Sequence, residues 1–305
     1  MDNITKELLK TVSDYTDGYE SAYNIRENGG CAGRKSTEHI KIETNPENGG
    51  LIIRVLPGTK GERVSIPACV THGNVDDLAY NDFYIGEGAD VLIIAGCGVH
   101  VTTGEPARHS GIHRFYLEKG SHVIYQEKHV GTGTGTGTKS IDPVTEFYLG
   151  ENSSLEMDSL QLGGVDKTLR QTKAVVEAGA SLSIRERILT DGAQQAVTDF
   201  VVEMNGADSS VNLVSRSVAK GQSHQSYRSR IVGNAPCTGH SECDAIIVDE
   251  GKVDAAPELT ANHEDAALIH EAAIGKIAGE QIIKLRTLGL TEEEAEARIV
   301  AGFLK

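Results

Sequence analysis

Cys237 and Cys243 stand six residues apart in Cys237-Thr238-Gly239-His240-Ser241-Glu242-Cys243-Asp244, and His270-Glu271 begins 27 residues after the second thiol. Thiolates suit iron and iron–sulfur species, and imidazole or carboxylate can complete a mixed iron site. Residues one turn apart in a β-solenoid stack at the strand spacing of about 4.8 Å. A thiolate, an imidazole and a carboxylate can therefore converge from adjacent strands. Neighbours on an extended strand point to opposite faces. His270 and Glu271 then serve one site only if the chain bends there, or if one of them faces a second subunit.

Other groupings are weaker. Cys97, His100, His109 and His113 cluster in sequence, but two histidines four apart share a metal only on a helix, and this region reads as strand and turn. Buried or solvated structural residues are the simpler reading. His263-Glu264 and His270-Glu271 repeat a pair seven residues apart, which is not the four-residue zincin spacing. Cys31 and Cys69 lack nearby partners and read as small core or surface residues. Gly137-Thr138-Lys139-Ser140 imitates a phosphate loop, but Thr138 replaces the glycine before the lysine and Ile141-Asp142-Pro143 opens no helix. Gly29 with Arg34-Lys35-Ser36 fails in the same way. No bound nucleotide is expected on this chain.

The 305 residues carry 44 acidic and 29 basic side chains, a formal charge of −15, which argues against nucleic acid or an anionic membrane as partner. Five cysteines, an odd number in a chain of this length, do not read as a disulfide framework. No apolar run reaches membrane-span length, and the first residues lack a signal-peptide pattern, so a cytoplasmic location is expected.

The elements that must position these residues are strands. Phe83-Tyr84-Ile85-Gly86-Glu87-Gly88 is echoed by Phe115-Tyr116-Leu117-Glu118-Lys119-Gly120 and by Phe147-Tyr148-Leu149-Gly150-Glu151-Asn152. Weaker copies end at Gly179 and Gly206, giving turn positions spaced 32, 32, 27 and 27 residues apart. Stacked units of this size without intervening helices predict a parallel β-helix, with a two-sheet sandwich as the alternative. Residues 1–16 read as an amphipathic helix through Leu8, Val12 and Tyr15, within an N-terminal helical segment 1–37. The β-helix core is placed at 38–273 and a C-terminal helical segment at 274–305. In that segment Gly289 ends one helix and Thr291 with Glu294 forms a capping box for the next. The Gly-Thr alternation 131–138 reads as a mobile loop.

Several stretches resemble the SufB/SufD family of iron–sulfur cluster assembly proteins. They are Ser215-Arg216-Ser217-Val218-Ala219-Lys220-Gly221, Ser226-Tyr227-Arg228, Cys243-Asp244 and Ile269-His270-Glu271-Ala272-Ala273-Ile274-Gly275-Lys276-Ile277. The likeness continues through Glu280-Gln281-Ile282 and Leu288-Gly289-Leu290 to Gly302-Phe303. Pro257-Glu258-Leu259 echoes the SufD branch, whereas Cys243 and Glu271 look SufB-like.

The resemblance implies a right-handed parallel β-helix that pairs as a homodimer, and a helical tail that docks a SufC-like ABC ATPase. It implies a non-enzymatic scaffold on which a transient iron–sulfur cluster is assembled, with a sulfur donor and apoprotein recipients as further partners. Cys243 and Glu271 match family positions implicated in building the cluster, and His270 matches positions used in both branches. Cys237 is a second candidate ligand. Gly275, Lys276, Glu280, Gln281, Leu288, Gly289 and Phe303 belong to the expected ATPase-binding tail. The family cysteine proposed to accept sulfur aligns near Tyr148-Leu149, where this chain has none, and the family's large N-terminal helical region is reduced to one short helix. A carbohydrate-acting β-helix would need aromatic platforms and repeated carboxylates, and this chain has no Trp. A purely structural solenoid is the remaining alternative, and it predicts no metal and a dispensable Cys243.

Overall fold

The structure, a computed structural model, describes residues 1–16, 18–161 and 163–305. Its body is a β-solenoid of two ten-stranded sheets, each turn of the chain giving one strand to each sheet. The strand Asp90–His100 pairs in parallel with His122–Thr132, one turn later, and not with the intervening Ala107–Leu117. The repeated phrase is the visible sign of this stacking. Phe83 pairs with Phe115 and Phe115 with Phe147, so these inward rings form a column with centroids 4.5 and 5.1 Å apart. One residue on, Tyr84, Tyr116 and Tyr148 face outward and stack at 5.0 Å. The alternation follows from side chains leaving a strand on opposite faces.

Left-handed residues return the chain between strands at Gly88, Gly120, Asn152 and Gly179. At the fifth turn the left-handed residue is Asp208 (φ 59°) and not Gly206. Gly206 is required there for a different reason: a Cβ on it would lie 1.8 Å from Ala178 N.

The Gly-Thr stretch is likewise ordered, not a mobile loop. Gly135 N bonds Val101 O at 2.9 Å and Gly137 N bonds Thr103 O at 3.0 Å. A Cβ on Gly137 would fall 2.0 Å from Glu105 O, so the glycines permit one backbone to lie against the turn beneath it.

The N-terminal stretch differs from a purely helical segment. Helix α1 (Asn3–Ser13), capped by Asp2 Oδ1 accepting from Thr5 N at 2.7 Å, is followed by a hairpin of Ala22–Glu27 and Gly30–Lys35. The first hairpin strand joins the solenoid in parallel beside Glu62–Val70. Leu8, Leu9 and Val12 bury one face of α1, and Gly96 and Gly98 leave the space it occupies: a Cβ on Gly96 would meet Val12 O at 2.3 Å.

Two edge strands, Lys252–Ala261 and Ala266–Lys276, finish the two sheets. Helices α2 (Gly279–Thr287) and α3 (Glu292–Phe303) follow. The Thr291–Glu294 capping box is present, and Gly289 is left-handed just past α2. Val300 packs with Val218 and Val248, and Lys220 Nζ meets Glu296 Oε1 at 2.8 Å, fastening α3 to the solenoid. No helix among the described residues is long and apolar enough to cross a membrane.

Candidate metal centre

The strand Cys237–Ile247 alternates buried and half-exposed residues, with Cys237, Gly239, Ser241, Cys243 and Ala245 inward. It is flanked in parallel by Ser209–Ala219 and by the edge strand Ala266–Lys276, both in unbroken register. Cys243 is 1% exposed and its thiol is pushed up to about 12, by burial first and then by the nearby Glu186 and Asp244. At neutral pH it is a protonated thiol, so any metal it binds must displace the proton.

His270 is the register partner of Ser241, and Glu271 of Glu242. His270 therefore shares the inward face with Cys243, about 8 Å away between Cα atoms on strand geometry. Its Nδ1 is buried without a hydrogen-bond partner. Glu271 is exposed on the outward face. Within one chain, then, the thiol and the imidazole share the inward face and the carboxylate points away.

Cys237 is also inward and 4% exposed, with its thiol raised by burial. Six residues of extended strand separate it from Cys243 by about 20 Å, so the two thiols do not reach one mononuclear site. Among the described residues no three His, Cys, Asp or Glu side chains meet as a metal cluster.

The interior beneath Cys243 is polar, which the spacing of cysteines did not reveal. Cys243 pairs with Ser215, Ser215 with Glu186, Glu186 with Ser159 and Ser159 with Glu127, one inward column through five turns. Ser215 Oγ donates to Glu186 Oε2 at 3.0 Å and Thr198 Oγ1 to Glu186 Oε1 at 2.9 Å. Arg170 reaches from the opposite sheet to Glu127 at 2.7 Å and Glu186 at 3.2 Å. Burial raises the Glu186 carboxyl despite Arg170. Burial pushes the Glu127 carboxyl the same way, but Arg170 and His129 outweigh it and hold Glu127 well below its ordinary range. Strand parity is the signal: four successive polar residues, Glu127, Ser159, Glu186 and Ser215, at the inward positions of one column mark a lined interior.

The expected tail residues divide by element. Gly275 and Lys276 end the last strand, Glu280 and Gln281 begin α2, Leu288 and Gly289 form the interhelical turn, and Phe303 lies partly buried in α3. Helix α2 buries none of its residues, and Ile283 and Leu288 are 61% and 75% exposed.

A family model described as the SUF system FeS cluster assembly SufBD core domain matches residues 78–303. The chain is 31% identical over 268 residues to an iron–sulfur cluster assembly SufBD family protein of Methanothermobacter thermautotrophicus (strain Winter), covering 86% of this chain and 64% of that relative. It is 30% identical over 271 residues to a protein of the same description from Archaeoglobus fulgidus, covering 88% and 71% respectively. A Methanocaldococcus jannaschii SufBD family protein is 24% identical over 276 residues, covering 88% and 85%. The chain thus spans just under two thirds of the Methanothermobacter relative's length.

Proposed function

The chain belongs to the SUF-system SufBD core-domain family of iron–sulfur cluster assembly proteins, and from that premise we propose that it is a scaffold subunit holding a nascent cluster at Cys243. The observation that carries this reading is that a buried thiol, Cys243, and an unpartnered imidazole nitrogen, His270 Nδ1, lie on the inward face of neighbouring strands in the last two turns of the solenoid. Iron and sulfide are the cargo. Each ferrous ion bound by Cys243 forms an Fe–S bond as the thiol gives up its proton to solvent.

One chain supplies too few ligands, and the outward Glu271 needs a second surface to complete a site. Two copies paired through the edge strands Lys252–Ala261 and Ala266–Lys276 supply it, since both strands carry a row of backbone groups unpaired on one side among the described residues. The exposed apolar residues of α2 and the following turn suit docking of a SufC-like ABC ATPase, the source of ATP hydrolysis on this reading. Nucleotide-driven movement of that partner strains the fastened tail and opens the dimer edge, exposing Cys243. A ligand or partner shifts such an equilibrium only by binding the open state better.

The test is anaerobic reconstitution with iron and sulfide, with and without the ATPase, comparing wild type with Cys243→Ser. Stoichiometric bound iron and sulfide with a visible cluster absorption, lost in the variant, is the expected result. Equal loading of both proteins would move the ligands elsewhere.

A further inference from the structure

The opposite end of the solenoid holds a second constellation. A cavity of about 230 Å³ opens beside the N-terminal hairpin and is lined at its inner end by Cys97, His109 and His113. These residues are 5%, 2% and 3% exposed. His109 Nδ1 lies 2.9 Å from Asp77 Oδ2, so the ring donates there and keeps the lone pair of Nε2 for a ligand. A carboxylate behind an imidazole is the arrangement that orients a metal-binding histidine and raises its basicity. Asp77 is itself fixed by Arg26, whose Nε and Nη2 approach Oδ1 at 2.9 and 2.6 Å, so the charge of that arginine is neutralised.

His113 has no such support. Its Nδ1 is buried without a partner. A Cβ on Gly111 would lie 2.5 Å from His113 Nε2 and 3.5 Å from His109 Nε2, which puts the two nitrogens no more than 6.0 Å apart. The missing side chain at 111 is what lets both rings turn into the same space. Cys97, on the facing sheet, lies between Ala68 and His129 in its inward column.

We propose that Cys97, His109 and His113 form an interior site for a divalent first-row transition metal ion, reached through the cavity beside the hairpin. One thiolate and two imidazoles suit zinc or ferrous iron, with water from the cavity in the fourth position. Among the described residues these side chains do not yet meet around one point. Capture therefore draws the His113 ring and the Cys97 thiol together, and the thiol proton leaves through the cavity as the metal–sulfur bond forms. This site is independent of the scaffold reading, since it shares no residue with Cys243 and His270.

The experiment uses the full chain carrying Cys31→Ser, Cys237→Ser and Cys243→Ser together, so that the exposed thiol and the two at the far end contribute nothing. Cys69, the other remaining thiol, packs with α1. Anaerobic Co(II) titration is expected to give one ion per chain, with a near-ultraviolet sulfur-to-cobalt band that disappears on Cys97→Ser. Asp77→Asn is expected to weaken binding about 10–100-fold. X-ray absorption of the zinc-loaded background protein needs no variant at the site and is expected to show one sulfur at ~2.3 Å with nitrogen at ~2.0 Å. A shell of oxygen alone, no cobalt bound, or a band that survives Cys97→Ser would each overturn the proposal.

Discussion

His270 and Ser241 are register partners on adjacent strands from the solenoid's last two turns, and only Ser241 is satisfied. Its Oγ meets Tyr227 Oη at 3.1 Å and Ser229 Oγ at 3.0 Å, while His270 Nδ1 has no partner. An imidazole that stabilised the isolated chain would be bonded, because an unpaired buried nitrogen costs free energy. His270→Ala is therefore expected to unfold in urea within about 1 kcal/mol of wild type. Under anaerobic reconstitution the same variant should bind severalfold less iron and sulfide. A large stability loss with unchanged iron content would instead assign His270 to packing.

Arg170 carries the opposite kind of role. It lies between Glu127 and Glu186 in the interior, and all three are buried. Removing one partner of a buried ionic network leaves uncompensated charge and costs about 3–5 kcal/mol. Arg170→Met should show that loss in urea unfolding. Glu127→Gln added to Arg170→Met should recover more than half of it, because Glu127 is the carboxyl held ionised, whereas burial already favours the neutral form of Glu186. A single-variant loss below about 1 kcal/mol would mean that water enters and replaces the guanidinium.

These two residues differ in how far the sequence announces them. The Phe-Tyr phrases and their left-handed glycines carry the solenoid plainly, because identical inward and outward positions must recur in register. Strand parity likewise separates His270 from Glu271 and, once the strand is known to be straight, sets Cys237 about 20 Å from Cys243. Arg170, Glu127 and Glu186 meet only across the interior between two sheets, and no local pattern pairs positions 43 residues apart. Residues 131–138 mislead for another reason. Composition alone does not distinguish glycine chosen for freedom from glycine chosen because Glu105 O would collide with a Cβ at Gly137.

The buried histidine His113 predicts a pH dependence. Burial lowers its pKa to about 4, against about 6.5 in the unfolded chain. Between those values the unfolded chain binds more protons, so stability is complete above pH ~6.5 and is lost as the pH falls towards 4. Asp77 extends the loss to lower pH. Burial would raise its carboxyl, but hydrogen bonds from His109 and Arg26 bring it from 3.8 to about 2. In chelator-treated protein the unfolding free energy should fall by up to about 1.4 kcal/mol per pH unit from the histidine. His113→Gln should flatten the upper part of this slope and leave the part below pH ~4. An unchanged profile in the variant would show that His113 does not titrate on unfolding.

Helix α3 is held by a small apolar contact, Val300 against Val218 and Val248, backed by the Lys220–Glu296 ion pair. Arg187 also donates to Leu304 O at 3.3 Å. Val300→Asp places a charge in that contact, which releases the helix more cheaply than it unfolds sheets stabilised turn by turn. Trypsin should then cut rapidly at Lys284, Arg286 or Arg298, while the solenoid's thermal midpoint moves little. If the tail docks the ATPase, its binding should be lost in Val300→Asp. Leu288→Ser tests the docking separately, because Leu288 is 75% exposed and holds nothing in the isolated chain. That variant should keep wild-type protease resistance and still bind the ATPase at least tenfold more weakly. Full binding by Leu288→Ser would place the ATPase on another surface, with the tail acting only to close the end of the solenoid.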